Sequence, residues 1–363
     1  MKNRIVYVFA TLTLLFGCSQ KGSVHEVKTE IAYDTIAVEI DYPILSNYIS
    51  LEPFFLNGKE YVMGYNHFAH SFDFIDLYGG EHFSLELQQK GPDAVLKGAR
   101  FCQLEDHLLC LDSSGLSVLT MGGKVIKKIA LKEVLSPEGN YLLRPKGISL
   151  GNYISINSYA NECFIPLFPD KGASDIRIGK VYDRKTQSLT PLPMTFPEKI
   201  RQDIKVSDGL SMPQIVAYKD MILFNFPKSS VVYQYDRNKG TVRNFDIKSC
   251  SVLADVDEDK DEEGDVKGKF MNDFLGSRFG KVYYSADLDL YFRVHFGARE
   301  SLKDKERDIY LMTYDIKSNR IGEYLLPASF SEQYVVMNDT IYFCCKNSDD
   351  SKLCFARINV GKL

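Results

Sequence analysis

Short apolar runs separated by polar turns dominate the chain. Residues 153–156 alternate as a half-buried strand does, while residues 221–224 and 341–344 are apolar at every position, which is typical of strands buried on both faces. Residues 231–235 and 309–314 are rich in β-branched and aromatic side chains, which favour strands. Because no helical pattern of comparable length appears, the sequence predicts an all-β fold.

One unit recurs along this pattern: an aromatic-rich strand, a polar turn and a second strand. Four of its turns follow an aspartate, namely Asp76, Asp183, Asp236 and Asp315. A carboxylate at that position can accept backbone N–H bonds inside the turn. The spacing of the units is irregular, and in an all-β chain this favours propeller blades over a solenoid.

The units group into six predicted blades. Their approximate ranges are 50–87, 97–131, 147–193, 212–247, 277–327 and 333–360. The last blade is one strand short, and the strand-like residues 35–40 have no partner nearby in the sequence. Pairing that segment with the last blade would close the ring and remove an exposed edge. The sequence therefore predicts a six-bladed β-propeller over residues 33–363, its last blade closed by an N-terminal strand.

The first 18 residues resemble a bacterial lipoprotein signal. Lys2 and Arg4 precede an apolar stretch, residues 5–16, which is too short to span a membrane comfortably and ends near Cys18. The resemblance implies that residues 1–17 are removed and that Cys18 carries lipid. Residues 18–32 are polar and are predicted to form a flexible tether.

The residues after Cys18 bear on location. Ser19 resembles lipoproteins that are sent to the outer membrane, and no acidic residue precedes Glu26, whereas surface-exported lipoproteins of the phylum Bacteroidota typically carry acids near the cysteine. We therefore expect a lipid anchor in the outer membrane, with the protein on the periplasmic face rather than at the cell surface.

Charge is concentrated in one segment. Residues 255–265 hold eight acids and one lysine, whereas the whole chain has a formal charge of −4. Without this segment and the signal the body is nearly neutral, so no field attracts nucleic acid and that class of partner is excluded. The segment matches a calcium loop poorly, because Phe270 stands where an EF-hand needs glutamate. We interpret it as a solvated insertion; calcium binding and docking of a basic partner are the alternatives.

The cysteines other than Cys18 are odd in number and show no Cys-x-x-Cys spacing. A zinc ribbon or a redox motif is therefore not expected, and buried free thiols are the simplest interpretation. Cys344 and Cys354 flank a turn and could face each other across a hairpin.

Two local motifs suggest chemistry that their context opposes. The pattern Gly-x-Ser-x-Gly at residues 147–151 would make Ser149 a nucleophile, but such an elbow needs a following helix and here a strand follows. His67 and His70 lie near two aspartates and could bind zinc, yet they fall in a predicted turn. No phosphate-binding loop or dinucleotide fingerprint appears, so we expect no catalytic residue, metal or cofactor.

Residues 290–296 form the most suggestive strand. Tyr291, Arg293 and His295 share one face of it, opposite three apolar side chains. Such a polar triplet between blades needs partners. It forms either a structural network with an acid of the next blade or a ligand-facing patch at the channel mouth, and Arg144 and Asn225 lie near strand ends that could join that patch.

A family resemblance rests on three motifs. They are residues 224–227 followed by 232–236, residues 280–284 followed by 290–293, and more weakly residues 89–92. They resemble uncharacterised Bacteroidota lipoproteins predicted to be TolB-like six-bladed β-propellers. The resemblance implies an extracytoplasmic propeller for binding or scaffolding, and it assigns no catalytic residue.

The expected function is therefore a non-enzymatic module that binds a ligand, a glycan or an envelope protein. Its site would lie on the loop-bearing face near the central channel. The alternative from another class is a glycan-active hydrolase or lyase, which would need tyrosine, histidine, arginine and carboxylate groups that converge at the channel mouth. A third is a structural envelope component that uses residues 255–265.

Overall fold

The computed structural model is a six-bladed β-propeller, as the sequence predicts. It describes residues 24–28, 30–39, 48–79, 81–135, 141–142, 156–169, 177–198, 200, 212–250, 275–299, 307–346 and 352–363. Each blade has four antiparallel strands, and blade 5 carries a fifth, parallel strand at its outer edge. The first strand of a blade lies innermost, where it contacts the first strands of its neighbours around the central channel.

The strands follow the chain from blade to blade. Two of them, β1 (Val24–Lys28) and β2 (Asp34–Glu39), precede the first blade. Blade 1 comprises β3 (Tyr48–Leu56), β4 (Lys59–Asn66), β5 (Ser71–Asp76) and β6 (His82–Glu86). Blade 2 comprises β7 (Arg100–Leu104), β8 (His107–Asp112), β9 (Gly115–Thr120) and β10 (Val125–Ala130), and the helix α1 (Leu131–Leu135) follows it.

The third blade has the shortest inner strand. The chain passes through β11 (Tyr141–Leu142), β12 (Asn157–Tyr159), β13 (Glu162–Pro166), β14 (Phe168–Pro169), β15 (Gly179–Asp183) and β16 (Ser188–Pro191). Strands β12, β13, β15 and β16 form blade 3, and β11 pairs with β14 beside it. Most of the strand predicted at residues 153–156 lies outside the described residues.

The remaining three blades complete the ring. Blade 4 comprises β17 (Gln214–Tyr218), β18 (Met221–Asn225), β19 (Val231–Asp236) and β20 (Thr241–Asp246). Blade 5 comprises β21 (Arg278–Ser285), β22 (Leu290–Phe296), β23 (Ile309–Asp315) and β24 (Arg320–Leu325). Blade 6 comprises β25 (Phe330–Met337), β26 (Thr340–Cys345) and β27 (Lys352–Asn359), and a 3₁₀ turn, Val360–Lys362, follows.

The two ends of each blade differ. Turns between the first and second strands, and between the third and fourth strands, lie at one end, which we call the turn face. Connections between the second and third strands, and from blade to blade, lie at the other end, the loop face. The first turn of each blade holds a non-glycine residue in the left-handed region, with φ between 50° and 52°: Asn57, Glu105, Ala160, Lys219, Asp289 and Asn338. This backbone feature repeats in all six blades even though the residue type changes.

The predicted aspartate turns are confirmed. Asp76 Oδ1 accepts the backbone N–H groups of Tyr78 and Gly79, both at 2.8 Å, and these bonds fix the turn between the third and fourth strands. The same pattern occurs at the other three positions, Asp183, Asp236 and Asp315. In blade 2, Thr120 Oγ1 takes this role and accepts from Lys124 N at 3.2 Å.

The core consists of six apolar layers, one between each pair of neighbouring blades. Strand β22 shows how one strand supplies two layers. Phe292, Val294 and Phe296 enter the layer between blades 5 and 6, while Tyr291 enters the layer between blades 4 and 5. The predicted alternation along this strand is therefore confirmed, and both faces of the blade are buried.

The N-terminal strand closes the ring as predicted. Strand β2 runs antiparallel to β27, from Asp34 opposite Arg357 to Glu39 opposite Lys352. Val38 is completely buried in the layer between blades 6 and 1. Since β2 is the fourth strand of blade 6, both ends of the chain stabilise the same sheet.

The segment expected to be a flexible tether contains a strand. Val24–Lys28 forms β1, which pairs in parallel with β24 as a fifth strand of blade 5. The expectation was wrong for these residues because a backbone ladder needs no apolar pattern, so a polar segment can cover an otherwise open edge. An ion pair between Glu26 and Arg320 supports this pairing. The domain boundary at residues 32–33 stays a prediction.

The cysteine register differs from the expectation by one residue. Cys345, rather than Cys344, lies opposite Cys354 in the β26–β27 ladder. The cysteines of the described residues are free thiols, and most are buried.

Among the helices of the described residues, none has the length and apolar character to cross a bilayer.

Ring closure through β2 predicts a sharp difference between two neighbouring positions. Val38→Asp places a charge in a fully buried site, so we expect the free energy of unfolding to fall by about 3 kcal/mol or more. Ala37 is exposed on the other face of the same strand, so Ala37→Asp should change it by less than about 1 kcal/mol. Denaturant unfolding of both variants checks this, and equal stability would contradict closure by β2.

Candidate functional site

The central channel holds a cavity of about 60 Å³ in its loop-face half. The first strands of blades 1, 4, 5 and 6 supply most of its wall. Gln214 is the first residue of β17 and Phe296 is the last residue of β22, so the cavity reaches the loop-face end of the channel, which we call the channel mouth. Its polar and aromatic lining comprises Ser50, Glu52, Gln214, Lys281, Tyr283, Phe296, Glu332, Gln333 and Tyr334.

A buried ion pair spans the cavity. Lys281 Nζ of blade 5 lies 3.5 Å from Glu52 Oε1 of blade 1, and both side chains are buried or nearly so. Burial raises the pKa of Glu52, and the charge of Lys281 opposes this rise. The pair joins two blades that are not neighbours along the ring, because blade 6 lies between them. It is therefore a feature of the channel rather than of a blade interface.

Three arginines converge on a second carboxylate at the rim of the cavity. Arg299 approaches Glu332 Oε1 at 2.5 Å and Arg307 Nε approaches it at 3.0 Å, while Arg278 donates to Glu332 Oε2. Burial raises the pKa of Glu332, but the three guanidinium groups outweigh it and hold that pKa below its usual value. Burial lowers the pKa of Arg278 to about 10, against the attraction of Glu332. We call these four residues the arginine cluster.

Asn225 supports the cavity wall from behind. It is completely buried at the end of β18, and its amide donates to Gln214 Oε1 and to Gly280 O, both at 3.0 Å. Its carbonyl accepts from Val282 N at 3.3 Å. Asn225 therefore fixes Gln214, which lines the cavity, and ties blade 4 to blade 5 without facing the cavity itself.

The structure brings the predicted triplet of β22 together in the layer between blades 4 and 5. Tyr291, Arg293 and His295 are each at most 2% exposed. Tyr291 Oη donates to Gln234 Oε1 at 2.6 Å and accepts from Arg243 at 3.2 Å. These partners belong to blade 4, which precedes blade 5, and neither is an acid, so this network differs from the predicted one with an acid of the next blade.

Arg293 is the largest fully buried polar side chain of the layer. Its guanidinium lies 3.7 Å from the centre of the Phe279 ring and donates to two backbone carbonyls of blade 4, those of Ser230 at 3.1 Å and Ile247 at 2.5 Å. Burial lowers the pKa of Arg293, and Asp246 opposes this effect. Through these contacts Arg293 joins blade 5 to blade 4.

His295 also stacks on the ring of Phe279. Its ring centre lies 4.3 Å from that of Phe279 at an interplanar angle of 23°. Burial, assisted by the charge of Arg293, lowers the pKa of His295 to about 3. The imidazole is therefore neutral at physiological pH.

Several other predicted positions have a different status. Cys18, Arg144, Ser149 and residues 255–265 lie outside the described residues. His70 is buried in blade 1, where its Nδ1 lies 2.7 Å from Tyr65 Oη, whereas His67 is exposed. Within the described part of the chain, no group of three potential metal ligands occurs.

Sequence reasoning missed the residues that form the cavity. Glu52 lies within the apolar segment around β3, and Lys281 lies between glycine and valine in β21. A charge inside a strand that must be inner and buried is the signal that could have revealed them. To use this signal, one would have to know which strand of each blade lies innermost.

A larger, open cavity of about 760 Å³ lies between blades 2 and 3 at the turn face. Its lining cations have partners nearby: Arg184 contacts Asp106 at 2.6 Å and pairs with Glu105, His107 contacts Asp106 at 2.7 Å, and Lys127 donates to Gln187 O at 2.9 Å. If volume were the sole criterion, this groove would be a better candidate for the functional site than the channel mouth. The channel mouth is the stronger candidate because its charges are buried and come from several blades.

Comparison with known proteins shows the fold. No family model and no curated protein matches the chain. A member of the DUF4221 family from Bacteroides vulgatus superposes with a TM-score of 0.66 at 16% identity, covering 90% of this chain and 97% of that one. An exported protein from Bacteroides fragilis superposes with a TM-score of 0.57 at 10% identity, covering 92% and 99%. At these identities, both likenesses show the fold alone.

The environment of His295 predicts a pH dependence of stability. Its pKa falls from 6.5 in the unfolded chain to about 3 in the native protein, so below pH 6.5 the unfolded state binds more protons. The contribution of His295 to the free energy of unfolding is therefore fully present above pH 6.5. It is lost progressively as the pH falls from 6.5 towards 3. Between pH 7 and pH 5 the loss amounts to about 2 kcal/mol.

Denaturant unfolding of His295→Phe at both pH values checks this prediction. The variant should lose about 2 kcal/mol less than the wild type between pH 7 and pH 5. His67→Phe, at an exposed position, serves as the matched control and should follow the wild type. If His295→Phe also follows it, the histidine is not held neutral.

Proposed function

We propose that this chain is a lipid-anchored protein of the cell envelope that binds a ligand or a protein partner at the channel mouth without catalysing a reaction. The fold supports a binding module, because propellers present sites at the end of the channel where their connections cluster. The signal-like segment that ends at Cys18 and the likeness to an exported Bacteroides protein support the envelope location. We place the protein on the periplasmic face of the outer membrane.

The observation that carries the proposal is the buried charge at the channel mouth. Buried ion pairs contribute little to stability, because the cost of removing charges from water offsets their attraction. The pair of Glu52 with Lys281 and the arginine cluster nevertheless lie within one cavity and its rim. A function in recognition explains why charges from blades 1, 5 and 6 meet there.

The chemistry of this wall points to a polar ligand. Lys281 and Glu52 offer a donor and an acceptor, Gln214 and Gln333 offer amides, and Tyr283 offers an aromatic ring. Groups of this kind recognise hydroxyl, amide or charged groups of a saccharide or of a protein side chain. Because the cavity is small, only a terminal group of such a partner would enter it.

One observation favours the alternative of a glycan-active hydrolase or lyase. Burial raises the pKa of Glu52, and a carboxyl with a raised pKa can act as a general acid. The sequence-based version of this hypothesis relied on Arg293 and His295. Both lie buried between blades 4 and 5, so Glu52 is the residue that tests it.

Glu52→Gln separates binding from catalysis. The change keeps the shape of the side chain and removes its charge, so a saccharide bound at the mouth should raise the melting temperature of the variant less than that of the wild type. Thermal shift with a panel of neutral and acidic oligosaccharides measures this, and chromatography shows whether the saccharide is recovered intact.

Glu86→Gln is the matched control, because Glu86 is exposed on the outer strand of the same blade; it should behave as the wild type does. Products that accumulate with the wild type and fall about 100-fold or more with Glu52→Gln would establish the hydrolase or lyase instead. A saccharide that stabilises all three proteins equally would place the site elsewhere.

Cys18→Ala tests the anchor. Without the thiol no lipid can be attached, so the variant should move from the detergent-rich to the aqueous phase in detergent phase partitioning of whole-cell extracts. Ser19→Ala changes the adjacent residue and should leave the protein in the detergent-rich phase. Aqueous partitioning of the wild type would contradict lipidation.

A further inference from the structure

The direction of β1 determines where the N-terminal segment leaves the propeller. Strand β1 is parallel to β24, and Val24 lies opposite Arg320, the first residue of β24. Arg320 directly follows the turn that joins β23 to β24, which belongs to the turn face. The chain before Val24 therefore leaves at the turn end of the outer edge of blade 5.

This exit point is firmly held. Five consecutive residue pairs, from Val24 with Arg320 to Lys28 with Tyr324, join β1 to β24. The ion pair of Glu26 with Arg320 lies at the same end. The exit therefore keeps a defined position relative to the rest of the ring.

Chain length limits how far the exit can lie from a lipid on Cys18. Five residues lie between Cys18 and Val24, and the six steps along the chain from one to the other span only about 20 Å even when fully extended. Strand β24 itself, with six residues, rises about 20 Å towards the loop end of the blade. A tether of this length would have to run back along the whole blade to bring the loop face to the bilayer.

We infer that the propeller is oriented with the turn face of blade 5 towards the membrane and the loop face, with the channel mouth, directed away from it. This inference rests on the proposed anchor at Cys18. The lipid bilayer is thus the partner of the turn-face rim of blade 5. The cavity with Glu52 and Lys281 stays open to a large partner in the aqueous compartment.

The absence of tryptophan from the chain allows a direct test in the full, lipidated protein. Leu288 lies in the first turn of blade 5 at the turn face and is 41% exposed. Ala328 lies in the connection between blades 5 and 6 at the loop face and is also exposed. Leu288→Trp and Ala328→Trp therefore place a single fluorophore at opposite ends of the same blade.

Each variant is reconstituted into phosphatidylcholine vesicles that carry a nitroxide on the lipid headgroup. We expect the nitroxide to quench the fluorescence of Leu288→Trp and to leave that of Ala328→Trp unchanged. Equal quenching of both variants, quenching of Ala328→Trp alone, or quenching of neither in protein that floats with the vesicles would overturn the orientation.

Vesicle flotation distinguishes this failure from failure of the anchor. Wild type that does not float with the vesicles would overturn the lipid anchor, and the orientation with it. Wild type that floats, together with Cys18→Ala that does not, would support the anchor whatever the quenching shows. Matching denaturant unfolding curves for the two tryptophan variants and the wild type confirm that quenching reports on the native ring.

Discussion

Closure of the ring is the constraint on which the rest of the structure depends. Every blade buries both faces against its neighbours, and the core is therefore six layers in a circle rather than one centre. An open circle would leave two apolar faces in water. The ladder between β2 and β27 prevents this. It completes blade 6 with an N-terminal strand, so that blade 6 can pack against blade 1 and close the circle.

The closed ring explains how charges can be placed at the channel mouth. Glu52, Lys281 and Glu332 stand on first strands, whose positions are set by the layers on either side and not by the connections at the loop face. Burial of these groups is unfavourable unless each has a partner, and the apolar layers supply the stability that offsets this cost. Side chains on such strands are held in place before any ligand arrives, which lowers the entropic cost of binding.

The sequence was sufficient for the parts of the fold that follow local rules. Alternation along β22, the aspartate turns at Asp76 and its counterparts, and the unpaired strand at residues 35–40 led to the propeller and its closure. The sequence was insufficient where the structure depends on backbone conformation, on backbone hydrogen bonds or on residues that are distant in the chain. Ala160 and Lys219 adopt left-handed turns that their residue types do not signal, and β1 pairs through a ladder without an apolar pattern. The channel mouth combines residues from several blades, so no local pattern marks it.

The polar triplet of β22 shows why a polar face within a buried strand does not by itself mark a ligand site. Ser230 and Ile247 flank the outer pair of strands in blade 4, where their carbonyls face the adjacent blade. Arg293 donates to both from blade 5 and rests on Phe279. Its side chain thus satisfies the carbonyl of Ile247 and adds a second bond to that of Ser230, which already accepts from Ile247 N at 3.1 Å. Burial, assisted by the same charge, lowers the pKa of His295 beside it and keeps the imidazole neutral. Asn225 acts in the same way one step closer to the channel, where its bond to Gln214 couples the connection between two blades to the wall of the cavity.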